Sequence, residues 1–137
     1  MEPDQELYVT LQRVADRTMQ DTQAVLKGHG LSAQQFNVLR ILRGAKGRLS
    51  CTDIASRMIS RDPDMTRLLD RIEAKGWIER SRDGEDRRVV LASITTAGLL
   101  LLAELDEPVR ESHRRQLAPL DEATKRTVLD ALKLLLG

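Results

Sequence analysis

The sequence predicts a mainly α-helical chain with one small β-hairpin, and three observations support that prediction. Apolar residues recur at three- and four-residue steps along most of the 137 residues, as they do on amphipathic helices. Two short β-type runs, residues 77–80 and 89–94, flank a polar segment whose Asp83-Gly84 pair favours a tight turn. An arginine-bearing helix directly precedes this hairpin. Helix and hairpin in this order are typical of a winged helix-turn-helix, in which the hairpin forms the wing.

Composition narrows the class of protein. The chain suits one domain or one protomer of an intertwined dimer, with 41% hydrophobic residues, eight Gly and four Pro. Cys51 is the single cysteine, which excludes an intramolecular disulfide and fits a cytoplasmic location. The N-terminus is acidic and the longest apolar run, Leu99 to Ala103, is too short to span a membrane. With only His29 and His113, neither a metal site nor a cofactor is expected.

Positive charge is concentrated in the middle of the chain, although the formal net charge is only +1. Residues 31–88 carry thirteen basic and nine acidic side chains, whereas each flanking segment carries more acids than bases. A face that binds phosphates is therefore expected in this middle segment.

The first two helices follow from apolar spacing and capping residues. About five turns of amphipathic helix are expected before Gly28, from the spacing of Leu7, Leu11, Val14, Thr18, Met19, Thr22, Val25 and Leu26. Ser32 with Gln35 predicts a capped second helix that ends at residues 44–47.

The third and fourth helices would form the helix-turn-helix. Ser50, with Asp53 as its reciprocal partner, predicts the start of a short third helix. Asp62 as N-cap and Pro63 at the first helical position predict a fourth helix that runs to about Lys75. The side chains expected to point inward are Ile54, Ala55 and Met58 on the third helix and Met65, Leu68, Leu69 and Ile72 on the fourth.

Two further helices are expected after the hairpin. Thr95 or Thr96 starts a long one, which Pro108 kinks or interrupts, and Asp121 starts the last. The expected organisation is a winged helix-turn-helix DNA-binding domain at residues 31–95 and a helical dimerisation region formed by residues 1–30 and 96–137.

DNA contacts are expected from arginines on the fourth helix and at the hairpin tip. A helix fits the major groove, where an arginine can donate two hydrogen bonds to guanine, so Arg67 and Arg71 are the first candidates. A wing arginine can reach a flanking minor groove or phosphate, and Asp86 can fix its direction. The candidate DNA-binding residues are Arg61, Asp62, Asp64, Thr66, Arg67, Arg71, Asp86, Arg87 and Arg88.

An ordinary interpretation of the same residues stays open. Arg67 and Arg71 could be solvated helix charges that pair locally with Asp64 and Asp70. Asp62 and Asp64 would also compete with a phosphate for the helix N-terminus.

A series of short motifs is shared, in order and spacing, with one known family. The motifs are Ile54-Ala55, residues 66–73, Lys75-Gly76, Glu79-Arg80, Asp86-Arg87-Arg88, Leu91 and residues 94–98. Residues 31–98 thereby resemble the winged-helix core of the multiple antibiotic resistance regulator (MarR) family. The resemblance implies a homodimeric transcription regulator, usually a repressor, whose first and last helices intertwine. It also implies that Arg88 contacts DNA and that Asp86 orients it.

The expected partners are double-stranded DNA, a second copy of the chain and a small-molecule effector. The leucine-dense terminal helices carry more apolar surface than a small winged helix can cover, and a two-fold dimer would prefer a pseudo-palindromic site. The resemblance implies an effector cleft between the dimer helices and the winged domain. With 2% aromatic residues, such a cleft would be lined by Leu, Met and Val.

Two other functions are open to the residues alone, and a third is not expected. Cys51 is either a redox sensor near a helix N-terminus or a small, partly buried residue, and the family's redox-active cysteines lie in the first helix. The acids Asp62 and Asp64 and the modest net charge favour, as the alternative, a protein-interaction or ligand-binding module without operator recognition. An enzyme is not expected, because the sequence has no Gly-rich phosphate loop, nucleophile elbow or metal-ligand cluster.

Overall fold

The fold begins with a helix of 25 residues and ends with one of 15 residues. Its elements are α1 Pro3–Lys27, α2 Ala33–Ala45, β1 Leu49–Ser50, α3 Cys51–Arg57, α4 Met65–Ala74, β2 Ile78–Arg82, β3 Val90–Ile94, α5 Thr96–Leu117 and α6 Glu122–Leu136. The computed structural model describes all 137 residues. The strands form an antiparallel sheet in the order β1-β3-β2. The predicted fold class, mainly helical with a β-hairpin wing, is confirmed.

Most helix starts are confirmed by their capping bonds. Ser32 forms a reciprocal capping box at α2, Thr95 caps α5 and Asp121 caps α6. At α3, Ser50 accepts the N–H of Asp53 at 3.1 Å, but the reciprocal half of the box is missing. The side chain of aspartate is shorter than the glutamate or glutamine that usually closes such a box.

The predicted start of the fourth helix is wrong by two residues. Asp64 is the N-cap of α4, and its carboxylate accepts the N–H of Arg67 at 3.0 Å. Asp62 accepts the N–H of Asp64 at 2.8 Å and so forms a turn that precedes the helix, with Pro63 outside it. Both aspartates are good caps by residue type, and this local turn decides between them.

The wing differs from the tight hairpin expected at Asp83-Gly84. β2 extends to Arg82, and a loop over residues 83–89 joins it to β3. The N–H of Asp83 donates to the carbonyl of Val89 at 2.9 Å, and Gly84 does not adopt the positive φ that a tight turn needs. β1, which pairs with β3, is not predictable from its two residues because they show no periodicity.

One hydrophobic core joins residues 31–95, the winged unit, to the long helices α1 and α5. Leu26 of α1 and Leu102 and Leu105 of α5 are fully buried in one cluster with residues of α2. α5 continues through Pro108, so of the expected kink or interruption the interruption does not occur; Val109, the next residue, is buried in the core. The buried core residues are Leu26, Leu31, Phe36, Val38, Leu39, Leu42, Ile54, Met65, Leu68, Leu69, Ile72, Ile78, Ala92, Leu102, Leu105 and Val109.

The terminal helices leave apolar faces uncovered in the single chain. α6 has no buried residue, and its leucines are open to solvent. α1 buries only Leu26. The large exposed side chains on these two helices are Leu7, Tyr8, Val9, Val14, Met19, Val128, Leu129, Leu132, Leu134, Leu135 and Leu136. None of the helices combines the length and the apolar character needed to cross a membrane.

Gly98 gives the start of α5 its close approach to the wing. A Cβ at Gly98 would strike the carbonyl oxygen of Trp77 and lie 2.7 Å from Cγ1 of Ile94. At Gly44, inside α2, a Cβ would meet nothing within 4 Å. The two glycines therefore offer a matched pair of helical sites that differ in packing.

Gly98→Ala is expected to destabilise the chain by about 1–3 kcal/mol, because the backbone of Trp77 has to move to admit the methyl group. Gly44→Ala, the control, is expected to stabilise it by about 0.5–1 kcal/mol through the better helix propensity of alanine. Urea unfolding at one fixed protein concentration measures both. A Gly98→Ala chain as stable as the wild type would contradict this packing.

Candidate DNA interface

α4 presents a polar face opposite its buried one. Met65, Leu68, Leu69 and Ile72 pack into the core, which turns Thr66, Arg67, Asp70 and Arg71 to solvent. Neither arginine takes part in an ion pair. Two guanidinium groups are therefore free to donate hydrogen bonds from one side of an exposed helix.

The expected local ion pairs of these arginines with Asp64 and Asp70 do not form. The Asp64 carboxylate caps α4 through the backbone N–H of Arg67, and Asp70 pairs with Arg80. Since both acids are engaged elsewhere, the side chains of Arg67 and Arg71 keep their full donor capacity.

The entrance to α4 is acidic and already occupied. Asp62 and Asp64 each accept a backbone N–H, and Asp64 lies where a phosphate would bind the helix N-terminus. Arg61, directly before them, is exposed and unpaired. Of the residues expected at this entrance, Arg61 and Thr66 keep free polar groups, while Asp62 and Asp64 shape the turn.

The wing tip is organised by Asp86. Its Oδ1 accepts both the backbone N–H and the Nε of Arg88, at 3.0 and 3.1 Å, and Oδ2 accepts Nη2 at 3.2 Å. These bonds to Arg88 hold the pKa of the Asp86 carboxyl below its ordinary value. The Arg88 side chain is nevertheless 91% exposed. A preset but accessible guanidinium is suited to docking against an anionic surface.

Two further residues hold the wing loop: Arg82, which the sequence does not predict, and Asp83, which it predicts only as part of a tight turn. Arg82 donates from Nη1 to the carbonyl of Arg87 at 3.1 Å, and Asp83 Oδ1 accepts the N–H of Glu85 at 3.0 Å. Asp83 and Asp86 each accept the backbone N–H of the residue two positions later, as aspartates in turns commonly do. Two aspartates in one short polar segment are the signal that could have identified this loop.

Arg80 ties the wing to α4. Its Nε and Nη2 donate to Oε1 of Glu73 at 3.3 and 2.9 Å, its backbone N–H donates to Oε2 at 3.0 Å, and Nη2 also donates to Asp70 at 2.5 Å. The side chain of Arg80 is only 21% exposed. Its hydrogen bonds lower the pKa of the Glu73 carboxyl, and Glu73 in turn raises the pKa of Arg80. α4 and β2 are thus joined by charge-assisted bonds in a fixed orientation.

A cleft of about 420 Å³ separates α3 and α4 from the wing. Thr66 and Arg88, which are predicted site residues from distant parts of the sequence, both line this cleft, and Arg80 lines it as well. Cys51 lines the same cleft and is partly buried, as the ordinary interpretation of this residue expects. No three His, Cys, Asp or Glu side chains are grouped closely enough to hold a metal ion.

A second cleft, of about 500 Å³, opens between α1, α2 and α5. Met19, Leu26 and Leu117 line it, as the expected Leu and Met side chains, whereas the expected valine is absent and Phe36 and Ile59 are present instead. Asn37 also lines it, is 7% exposed, and has no hydrogen-bond partner for its amide Nδ2. Arg40 and His113 add polar groups at the cleft. A buried amide donor without a partner is costly, and rotation of the Asn37 side chain toward an acceptor in the cleft would satisfy it.

The Glu73–Arg80 pair makes a pH-dependent contribution to stability. Because the folded-state pKa of Glu73 lies below its ordinary 4.5, the carboxylate stabilises the fold above that pH, and the effect is lost as the pH falls through the lowered pKa. We expect Glu73→Gln to destabilise the chain by about 1 kcal/mol at neutral pH, since the group is partly exposed. The difference from the wild type should shrink as the pH falls from neutral through 4.5 and then through the lowered pKa of Glu73.

Urea unfolding across this pH range tests the prediction. Glu79→Gln, at an exposed position without an ion pair, is the control and should show no such trend. A pH-independent effect of Glu73→Gln would contradict a contribution from the charge.

Comparison with known proteins agrees with this geometry. Residues 31–90 match the model of the MarR family. The chain is 32% identical to the HTH-type transcriptional regulator PecS of Dickeya dadantii over 118 residues. This matched stretch covers 85% of the chain and 71% of PecS. The crystal structure of a MarR transcription factor from Planctomyces limnophilus is similar with a TM-score of 0.77 and 38% identity, over 98% of each chain.

The similarity extends to a protein bound to DNA. A mutant MarR from E. coli, crystallised with operator DNA, is similar with a TM-score of 0.88 and 27% identity, over 96% of this chain and 94% of that one. Members of the family are transcription regulators and not enzymes. On the strength of the shared fold, the matched core and these identities, the chain belongs to the MarR family of winged helix-turn-helix transcription regulators.

Proposed function

We propose that the chain is a homodimeric repressor that binds a pseudo-palindromic operator through α4 and the wing. One observation carries the proposal: unpaired Arg67 and Arg71 stand on the exposed face of α4, and Arg80 ties that helix to a wing whose Arg88 is preset by Asp86. Donors at both places can engage one duplex together, with α4 in the major groove and the wing beside it.

The individual residues take different parts in this proposal. Arg67 and Arg71 read base edges or adjacent phosphates, with Thr66 and Arg61 beside them. Arg87 and Arg88 contact a flanking minor groove or phosphate. Asp86 aims Arg88, while Asp62 and Asp64 shape the helix entrance and limit non-specific affinity by repelling phosphate.

The uncovered apolar faces support a dimer. The leucines of α6 and the apolar residues of α1 are exposed in the single chain, and a second copy would bury both sets. In this organisation residues 1–30 and 96–137 form the dimerisation region and residues 31–95 the DNA-binding domain. A two-fold axis would place two copies of α4 about 34–36 Å apart, one turn of the duplex. Bound across a promoter in the cytoplasm, such a dimer blocks access to it.

The cleft between α1, α2 and α5 supports relief by an effector. Its volume suits a small molecule, and its wall combines apolar side chains with the unpartnered amide of Asn37 and the guanidinium of Arg40. This chemistry favours a compact apolar compound that carries a carboxylate. The cleft lies between helices of both proposed regions, so an occupant can change the angle between them.

The alternative is a module that docks proteins or ligands without reading DNA. It is favoured by the acidic entrance to α4 and the net charge of +1. Alanine variants of the arginines on the wing and on α4 distinguish it from the repressor.

The double variant Arg87→Ala/Arg88→Ala is expected to weaken operator binding and to reduce the slope of log affinity against log salt by about 0.9 for each phosphate that the protein no longer neutralises. If Arg67 and Arg71 contact bases, Arg67→Ala and Arg71→Ala are each expected to weaken the free energy of operator binding by about 1–3 kcal/mol. Each should also reduce the preference for the operator over other DNA sequences. Fluorescence anisotropy on the chain's own upstream DNA and on scrambled DNA measures both effects.

Arg110→Ala is the control, since that arginine lies on α5 and pairs with Glu107 in the same helix. Equal, weak binding of the wild type to both DNAs and to DNA fragments selected from the genome would favour the docking module instead.

Deletion of residues 121–137 is expected to abolish the dimer, because it removes the leucine face of α6. Sedimentation velocity of the full and shortened chains measures this, and circular dichroism shows whether the winged unit is still folded. A folded, shortened chain that sediments as a dimer would show that α6 is dispensable for association.

Benzoate, used as a simple carboxylate probe, is expected to raise the unfolding temperature of the wild type and to lower its affinity for DNA. Asn37→Leu, which removes the amide at similar volume, should reduce both effects at least severalfold. Benzyl alcohol is the uncharged control. The same benzoate response in wild type and variant would place the ligand elsewhere.

A further inference from the structure

A single ion pair joins the winged unit to α5. Arg43, in the last turn of α2, donates from Nη1 to Oδ2 of Asp106 at 3.0 Å and from Nη2 to Oδ1 at 3.0 Å. The two side chains are 37% and 36% exposed. No other ion pair or side-chain hydrogen bond links α2 with α5. The rest of this joint consists of apolar contacts such as those of Leu39, Leu42 and Leu105.

The pair lies at the opposite end of the joint from the cleft. On α2, the cleft is lined by Phe36, Asn37 and Arg40, before Arg43. On α5 it is lined by His113, Gln116 and Leu117, about two turns and more after Asp106. The two helices therefore meet at one end through directional charge-assisted bonds, and at the other end they part around the cleft.

We propose that Arg43 and Asp106 are positioning residues that set the angle between the winged unit and α5, and thereby the half-site spacing that the protein accepts. Apolar contacts hold α2 and α5 together, but they are not directional and leave the angle between the two helices loosely defined. A bidentate arginine–carboxylate pair is directional and fixes that angle. At its exposure the pair contributes little to stability, so its effect lies mainly in geometry. α4 is carried by the winged unit, so a small rotation at the joint becomes a larger displacement at the DNA surface.

This inference rests on the proposed dimer and its operator, and the test separates the two. A duplex is first selected by the wild type from random DNA, and versions with one base pair inserted or removed between the half-sites are then made. One base pair changes both the separation and the rotation of the half-sites. Binding of each version is measured by fluorescence anisotropy for the wild type, Arg43→Ala, Asp106→Ala, Arg43→Lys and the double alanine variant.

The wild type is expected to prefer the selected spacing by about tenfold, which corresponds to 1.4 kcal/mol. Each single alanine variant should lose most of that preference while its binding to the variant spacings is retained. The double variant should lose no more than either single one, because both remove the same ion pair. Arg43→Lys should behave like Arg43→Ala, since an ammonium keeps the charge but not the two-point geometry.

Arg110→Ala, which breaks an ion pair within α5 alone, is the control and should keep the wild-type preference. Urea unfolding and sedimentation show whether each variant is folded and dimeric. Folded, dimeric Arg43 and Asp106 variants that retain the full preference for spacing would overturn this inference and leave the repressor proposal standing. A wild type that selects no DNA would overturn the proposed function, and the inference with it.

Discussion

The tie between Arg80 and α4 is the interaction on which the candidate DNA interface depends. A recognition helix and a wing can grip one duplex only if their relative position is fixed. Arg80 fixes it by bonding through both its side chain and its backbone to Glu73, and through its side chain to Asp70. These acids lie on the helix that carries Arg67 and Arg71, and Arg80 lies on the strand that leads to Arg88. The polar surface therefore behaves as one unit.

Apolar burial and charged contacts make different contributions to the rest of the fold. Burial of leucine, isoleucine and valine side chains holds the winged unit on α1 and α5 without giving it a sharp orientation. Direction comes from a few charged contacts: Arg80 at the wing, Asp86 at its tip, and Arg43–Asp106 at the joint with α5. The last of these lies across the joint from a cleft that contains an unsatisfied amide. In the proposed repressor, this pair of helices would connect occupancy of the cleft with orientation at the DNA surface.

Local signals in the sequence predicted the helices, their caps and the existence of a wing, because periodicity and capping act within a few residues. Ser32, Thr95 and Asp121 are caps in the structure as expected. The start of α4 was misplaced because Asp62 and Asp64 satisfy the same local rule. The Arg43–Asp106 pair spans 63 positions and the Arg80 tie connects a helix with a strand, so neither leaves a periodic signal. The lining of the cleft likewise depends on how three helices pack.

The most direct test of the central claim is hydrogen exchange of the full chain with and without its selected operator. If α4 and the wing act as one surface, operator binding should slow exchange in residues 65–74 and in the loop 83–89 together, and scrambled DNA should slow neither to the same extent. Protection confined to one of the two segments, with the other exchanging as in the free protein, would contradict a jointly held reading surface.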